Sequence, residues 1–212
     1  MITLHTWTTP NGRKVSIMLE EIGMAYVVKP VDIDRGEQFA PDYLKISPNN
    51  KIPAIVDDLA EGGPLAVFEC GAILTYLAER SGQLLAASGP ARYRALEWLH
   101  WSIGGLGPML GQLMFFAVRS EEKAPLAVTR FTQEADRLLC VLERRLGEVP
   151  FLGGDDYSIA DIAAYPWASI ATTSFGDVLA RSLASKPSLH RWLNVVGSRP
   201  AVVRGMSIPA GQ

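Results

Sequence analysis

Ile46-Ser47-Pro48-Asn49-Asn50-Lys51-Ile52-Pro53-Ala54-Ile55-Val56 is the stretch on which the fold turns. Pro53 stands directly before a buried-type strand, although a proline cannot donate to a sheet ladder. A cis Ile52–Pro53 bond would turn the chain sharply and aim the Ile52 N–H and C=O away from the sheet. Such an open pair can receive an extended peptide as an added strand. An ordinary trans proline at the start of a strand is the plainer alternative.

Working outward, Ala54-Ile55-Val56 and Leu65-Ala66-Val67-Phe68 are joined by Asp57-Asp58 and Glu61-Gly62-Gly63-Pro64, which predicts an antiparallel hairpin with a long turn. Ala72, Ile73, Tyr76 and Leu77 then give a helical stripe that ends near Gly82. Upstream, Ile2, Leu4 and Thr6 alternate with Thr3, His5 and Trp7, the period of a strand. After Pro10-Asn11-Gly12, Val15, Met18, Leu19 and Ile22 form one apolar helix face, with Asn11 expected as N-cap and Gly23 as the residue just past the C-terminus. Tyr26 to Val31 is β-branched and aromatic, so a β-α-β crossover with parallel strands is expected. The polar stretch 34–50 holds one short helix around 41–46. The predicted order is β-α-β-α-β-β-α, a thioredoxin-like α/β domain over 1–82.

Residues 83–90 are small and without a clear period, which suits a linker. Everything after them has helical spacing, most clearly Val128, Phe131, Ala135, Leu138, Leu139, Leu142 and Leu146. An all-α domain is expected over 91–206, with a frayed tail over 207–212. Ser158-Ile159-Ala160-Asp161 has capping-box spacing with Asp in place of Glu. Gly104-Gly105-Leu106-Gly107-Pro108 is not a phosphate loop, since no Lys-Ser/Thr follows it. It is expected to bend or interrupt a helix near the substrate cleft, beside Met109, Met114, Phe115 and Phe116.

Composition narrows the function classes. Twenty Lys and Arg face 22 Asp and Glu, a net charge of −2, which argues against a general nucleic-acid binder. The two cysteines, Cys70 and Cys140, make neither a disulfide framework nor a zinc site. His5, His100 and His190 are isolated, and no metal is expected. No uninterrupted apolar run reaches about 18 residues and no secretory signal is visible, so a soluble cytoplasmic protein without a membrane partner is expected.

Three strand-terminus sites carry more than packing. Thr8-Thr9-Pro10-Asn11-Gly12 opens a helix, where unpaired N–H groups favour anions and where Thr and Asn donors suit a thiolate; a plain cap and turn is the alternative. Asn49 to Ile55 offers the backbone pair described above. At Phe68-Glu69-Cys70-Gly71, an acidic residue followed by helix N–H groups suits a zwitterion: Glu69 meets an ammonium and the helix start meets a carboxylate. A capping carboxylate and a small buried thiol would read the same way. Together the three would line one sheet edge for a γ-glutamyl tripeptide with a central cysteine.

The order of elements resembles the glutathione transferases over essentially the whole chain. Thr9-Pro10-Asn11-Gly12, the 46–56 block, Gly-Gly-Leu-Gly-Pro-Met-Leu-Gly-Gln at 104–112 and Tyr-Ser-Ile-Ala-Asp-Ile-Ala at 157–163 are similar to the bacterial Nu class. That resemblance implies a dimeric glutathione-dependent disulfide-bond reductase with some organic-hydroperoxide peroxidase activity. It implies Thr9 and Asn11 at the glutathione sulfur as the catalytic pair. Gln38, Lys51, Ile52, Pro53, Glu69, Cys70 and Arg130 would bind the tripeptide, with one or two glutathiones or glutathione disulfide per subunit. The family motif usually has serine where this chain has Cys70, so a hydroxyl donor becomes a weaker thiol one. The missing hydrogen bond would cost roughly 1.5–3 kcal/mol at most. The same thiolate would serve a conjugating transferase acting on electrophiles, and a non-enzymatic ligand-binding protein of this fold is the further rival.

Overall fold

A computed structural model describes residues 1–209; of the tail expected over 207–212, the last three residues lie outside the described ones. The chain forms two compact units, Met1–Ala87 with Arg199–Gln212, and Ser88–Ser198.

The first unit is built on a four-stranded sheet: β1 (Ile2–Thr6), β2 (Tyr26–Pro30), β3 (Ala54–Asp57) and β4 (Leu65–Phe68), in the order β2-β1-β3-β4. β1 pairs parallel with β2 and antiparallel with β3, and β3–β4 is the expected antiparallel hairpin. Ile2, Leu4, Ala54 and Ile55 are fully buried, as the alternation in β1 requires. β4 is different. It is one of the two edge strands, and Leu65 and Phe68 remain exposed.

Helix α1 (Pro10–Glu21) buries Val15, Ile17, Met18 and Leu19. Each such side chain contributes about 1.5–3 kcal/mol when taken out of water. Its N-cap is Thr9 and not Asn11, because Pro10 takes the first helical position, where its missing N–H costs nothing. Gly23 follows the helix with φ 62°, as expected of a residue past the C-terminus. After a 3₁₀ turn (Glu37–Phe39) and the short α2 (Pro41–Leu44), β3 and β4 lead into α3 (Cys70–Ser81), which packs against α1.

The second unit contains α4 (Gly89–Trp101), α5 (Gly107–Met114), α6 (Pro125–Glu148), α7 (Ile159–Thr173), α8 (Asp177–Ala184) and α9 (Pro187–Gly197). The Gly-Gly-Leu-Gly-Pro stretch does not interrupt the helix. A π-helical turn over Ser102–Leu106 joins α4 to α5, and a second one, Phe115–Arg119, extends it. Gly107 permits this path against α7, since a Cβ there would lie 3.0 Å from Trp167 Nε1. The continuous helix Gly89–Arg119 is, by length and composition, long and apolar enough to cross a membrane, which counting uninterrupted apolar runs passes over. Within the unit its Leu99, Leu106, Leu110 and Leu113 are fully buried.

The expected capping box at the start of α7 is present. Buried Asp161 accepts from the Leu152 N–H (2.9 Å), the Ser158 N–H (3.0 Å) and hydroxyl (3.2 Å), and the Trp192 indole N–H (2.9 Å). One carboxylate thus ties the start of α7 to the preceding loop and to α9.

The last helix, α10 (Pro200–Met206), departs from the expected range of the helical domain, 91–206. It lies on α1 in the first unit. Ser16 Oγ donates to the Gly205 carbonyl at 2.7 Å, Arg199 pairs with Glu21 at 2.6 Å, and Arg204 pairs with Glu20 at 2.5 Å. Gly205 makes the close approach possible, because a Cβ there would sit 2.5 Å from Ile17 Cα. Helical period reports a buried face but not which core buries it.

Candidate functional site

The sheet register brings three chain segments to one edge. His5 lies opposite Ala54, and Ala54 opposite Phe68. The exit of β1, the start of β3 and the exit of β4 therefore form one row, neighbours about 4.8 Å apart. Thr9, Ile52–Pro53 and Glu69–Cys70 all flank that row.

At the β1 end, Thr9 has extended backbone and its Oγ1 accepts the Gly12 N–H at 3.1 Å. A hydroxyl that accepts one bond retains its proton for another acceptor, and accepting strengthens it as a donor. Gly12 is forced here: a Cβ would come within 2.4 Å of both Thr6 Oγ1 and the Trp7 carbonyl. The positive end of α1 is thus held tightly against the end of β1, with Asn11 in its first turn.

In the middle, the Ile52–Pro53 peptide is cis and Pro53 is buried. The ladder starts at Ala54, which leaves the Ile52 main chain outside it. The preceding carbonyl, that of Lys51, is fixed by the Tyr43 hydroxyl at 2.7 Å and Ser47 Oγ at 2.8 Å. Burial pushes the Tyr43 pKa up to about 12, so this hydroxyl stays a donor. The Lys51 side chain itself is exposed.

At the β4 end, Glu69 holds a φ of 69° and ψ of 114°, left-handed backbone for a residue with a side chain. Such geometry costs about 1–3 kcal/mol and concentrates at functional sites. Glu69 does not cap α3; its carboxylate instead accepts from Asn49 Nδ2 at 3.3 Å. Among the described residues, the first N–H groups of α3 therefore have no side-chain acceptor. Cys70 is buried, at 7% exposure.

Gln38, on the 3₁₀ turn after β2, donates through Nε2 to the Ile33 carbonyl at 3.4 Å. Its Oε1 is buried and has no partner among the described residues. Arg130 is exposed on α6, in the second unit, whereas the other eight expected residues belong to the first. Among the described residues no cluster of three or more His, Cys, Asp or Glu is arranged for a metal.

Spacing alone did not point to several residues that shape the site. Asn49 steers Glu69, while Tyr43 and Ser47 set the Lys51 carbonyl. Lys14 is 1% exposed and places Nζ 3.8 Å from Cys70 Sγ. Beside Arg13 on an amphipathic helix, it carries no sequence signal that separates it from a solvent-facing lysine.

Residues 1–79 match the family model of the glutathione S-transferase N-terminal domain, and 125–194 that of the C-terminal domain. The chain belongs to the glutathione S-transferase family. It is 47% identical over 203 residues to the disulfide-bond oxidoreductase YfcG of Escherichia coli, covering 95% of this chain and 92% of that protein. A glutathione transferase of Burkholderia graminis, crystallised with two glutathione molecules per subunit, superposes with a TM-score of 0.94 at 42% identity, covering 100% of this chain and 89% of that one. A Pseudomonas putida glutathione transferase, with one glutathione disulfide per subunit, gives 0.90 at 42% identity over 98% and 91%. The thioredoxin-like sheet followed by a helical unit is thus the glutathione transferase architecture, as the element order in the sequence predicts.

Proposed function

We propose that this chain is a glutathione-dependent disulfide-bond oxidoreductase of the Nu type, with organic-hydroperoxide peroxidase activity as a second outlet. The observation that carries the reading is the row of strand ends: an α1 N-terminus with a Thr9 hydroxyl, an Ile52 backbone outside the ladder, and an uncapped α3 N-terminus beside Glu69. A γ-glutamyl tripeptide laid along that row meets thiolate donors at one end, an added-strand partner in the middle and a zwitterion holder at the other. The named activity of the Escherichia coli relative and the ligands of the two crystal structures support the same assignment.

In this reading the reacting sulfur comes from glutathione. Thr9 and Asn11, with the positive end of α1, lower its pKa from about 8.5, so that much of it is thiolate near neutral pH. The thiolate attacks one sulfur of the substrate disulfide, forming a mixed disulfide and releasing the other sulfur as a thiolate. A second glutathione attacks the mixed disulfide, releases the remaining substrate thiol and leaves glutathione disulfide. No cysteine of the chain takes part. Cys70 flanks the β4 end, two strand spacings, about 10 Å, from the β1 end. Gln38, Lys51, Ile52, Pro53, Glu69 and Cys70, all of the first unit, complete the tripeptide site, which takes either two glutathiones or their disulfide.

A homodimer in the cytoplasm completes the reading. The exposed apolar edge strand β4 supports the first, and the unpaired Cys70 and Cys140 the second. The test is a pair of assays on one preparation, bis(2-hydroxyethyl) disulfide reduction and chlorodinitrobenzene conjugation. Fast disulfide turnover with slow conjugation is expected; the reverse order would assign the chain to conjugation, and binding without either activity would remove it from catalysis.

A further inference from the structure

The base of the α3 N-terminus holds a charge that the proposed tripeptide contacts do not use. Lys14 sits on α1, 1% exposed, in a row of residues that otherwise fill the core. Its Nζ donates to Cys70 Sγ at 3.8 Å, and among the described residues no carboxylate lies within ion-pair distance of it. A buried ammonium with only a thiol as acceptor is poorly compensated. Burial pushes the Lys14 pKa down, while Cys70 and Glu69 pull it back up. The ammonium also lies beside the partial positive charge of the uncapped α3 N-terminus, so two positive features converge at one point. Glu69 offsets them only in part, because its carboxylate is exposed and bonded to Asn49. The fold has assembled the surroundings of an anion.

We propose that Lys14 is a positioning residue of the tripeptide site: its buried ammonium, acting through the Cys70 thiol, holds the γ-glutamyl α-carboxylate at the N-terminus of α3. This rests on the glutathione reading above and adds a residue to it. Lys14 donates to Sγ, the S–H donates to the carboxylate, and the ammonium supplies the opposite charge just beneath. The relay accounts for a cysteine at this position, since a sulfur that accepts from an ammonium becomes a better donor.

The experiment is calorimetric titration of the full-length chain with glutathione and with 4-aminobutyryl-cysteinyl-glycine, which keeps the amine and thiol but lacks that carboxylate. The wild-type protein is expected to bind glutathione ~10–100-fold more tightly than the analogue, the range of one hydrogen bond to a charged group. In Lys14→Met that preference falls to within about threefold, through loss of glutathione affinity alone. Equal weakening of both ligands, or an unchanged preference, overturns the proposal while leaving the glutathione reading intact. If the wild-type protein takes up neither ligand, the glutathione reading falls and this inference with it. Should Lys14→Met fail to fold, Cys70→Ser and Cys70→Ala decide the matter with Lys14 in place. The serine variant is expected to keep or raise the preference and the alanine variant to lose most of it; identical preferences in the two would overturn the relay.

Discussion

At the residue scale, the proposed function gives Thr9 two duties. Its oxygen caps α1, and in the proposed mechanism its O–H donates to the glutathione sulfur. Thr9→Ala should lose both: about 0.5–2 kcal/mol of stability in thermal melts, and roughly 10–100-fold in kcat/KM for disulfide reduction, the size of one charge-assisted hydrogen bond. Thr9→Ser keeps cap and donor and should restore both; a serine variant as slow as the alanine one would remove the hydroxyl from the chemistry. The site's turns are legible in sequence because Thr, Pro, Asn and Gly gather there, but their detail is not: the cap falls on Thr9 and not on the expected Asn11, and Pro53 alone leaves cis and trans both open. Lys14 is not legible, because lysines on an amphipathic helix ordinarily face solvent, and its burial comes with the packing of α3 on α1. The geometry of Glu69 is equally hidden, since no residue type announces a positive φ except glycine and, weakly, asparagine.

At the scale of elements, two junctions set stability. Asp161 accepts four hydrogen bonds inside the helical unit, so Asp161→Ala strands buried donors on α7, α9 and the preceding loop. Denaturant unfolding should show a loss of about 3 kcal/mol or more; a change below about 1 kcal/mol would mean water replaces the carboxylate. At the other junction, Gly205→Ala puts a Cβ into the α1 backbone at Ile17, and α10 must shift. The expected cost is about 1–3 kcal/mol, and amide exchange of α10 should quicken selectively. The strands, α1, α3 and the capping box follow from period and caps alone. The unbroken path through Gly104-Gly105-Leu106-Gly107-Pro108 does not, because glycine and proline punctuation reads as a break. In the structure the chain carries on as a widened helical turn, with Gly107 just after it packed closely on Trp167.

At the scale of the whole molecule, β4 leaves Leu65 and Phe68 exposed on a sheet edge, a surface that invites a second chain. Light scattering should give a mass about twice the 23.1 kDa of the chain. Phe68→Lys should shift that mass toward a single chain; a wild-type protein already at one chain's mass would contradict the dimer. The central claim is that glutathione supplies the reacting sulfur and the protein ionises it. Its most direct test is the ultraviolet thiolate absorbance of the glutathione complex, followed against pH and corrected for the protein alone. The account predicts a midpoint near 7 or below, against about 8.5 for a free thiol, returning toward the free value in Thr9→Ala. A bound sulfur that still titrates at about 8.5 would contradict it.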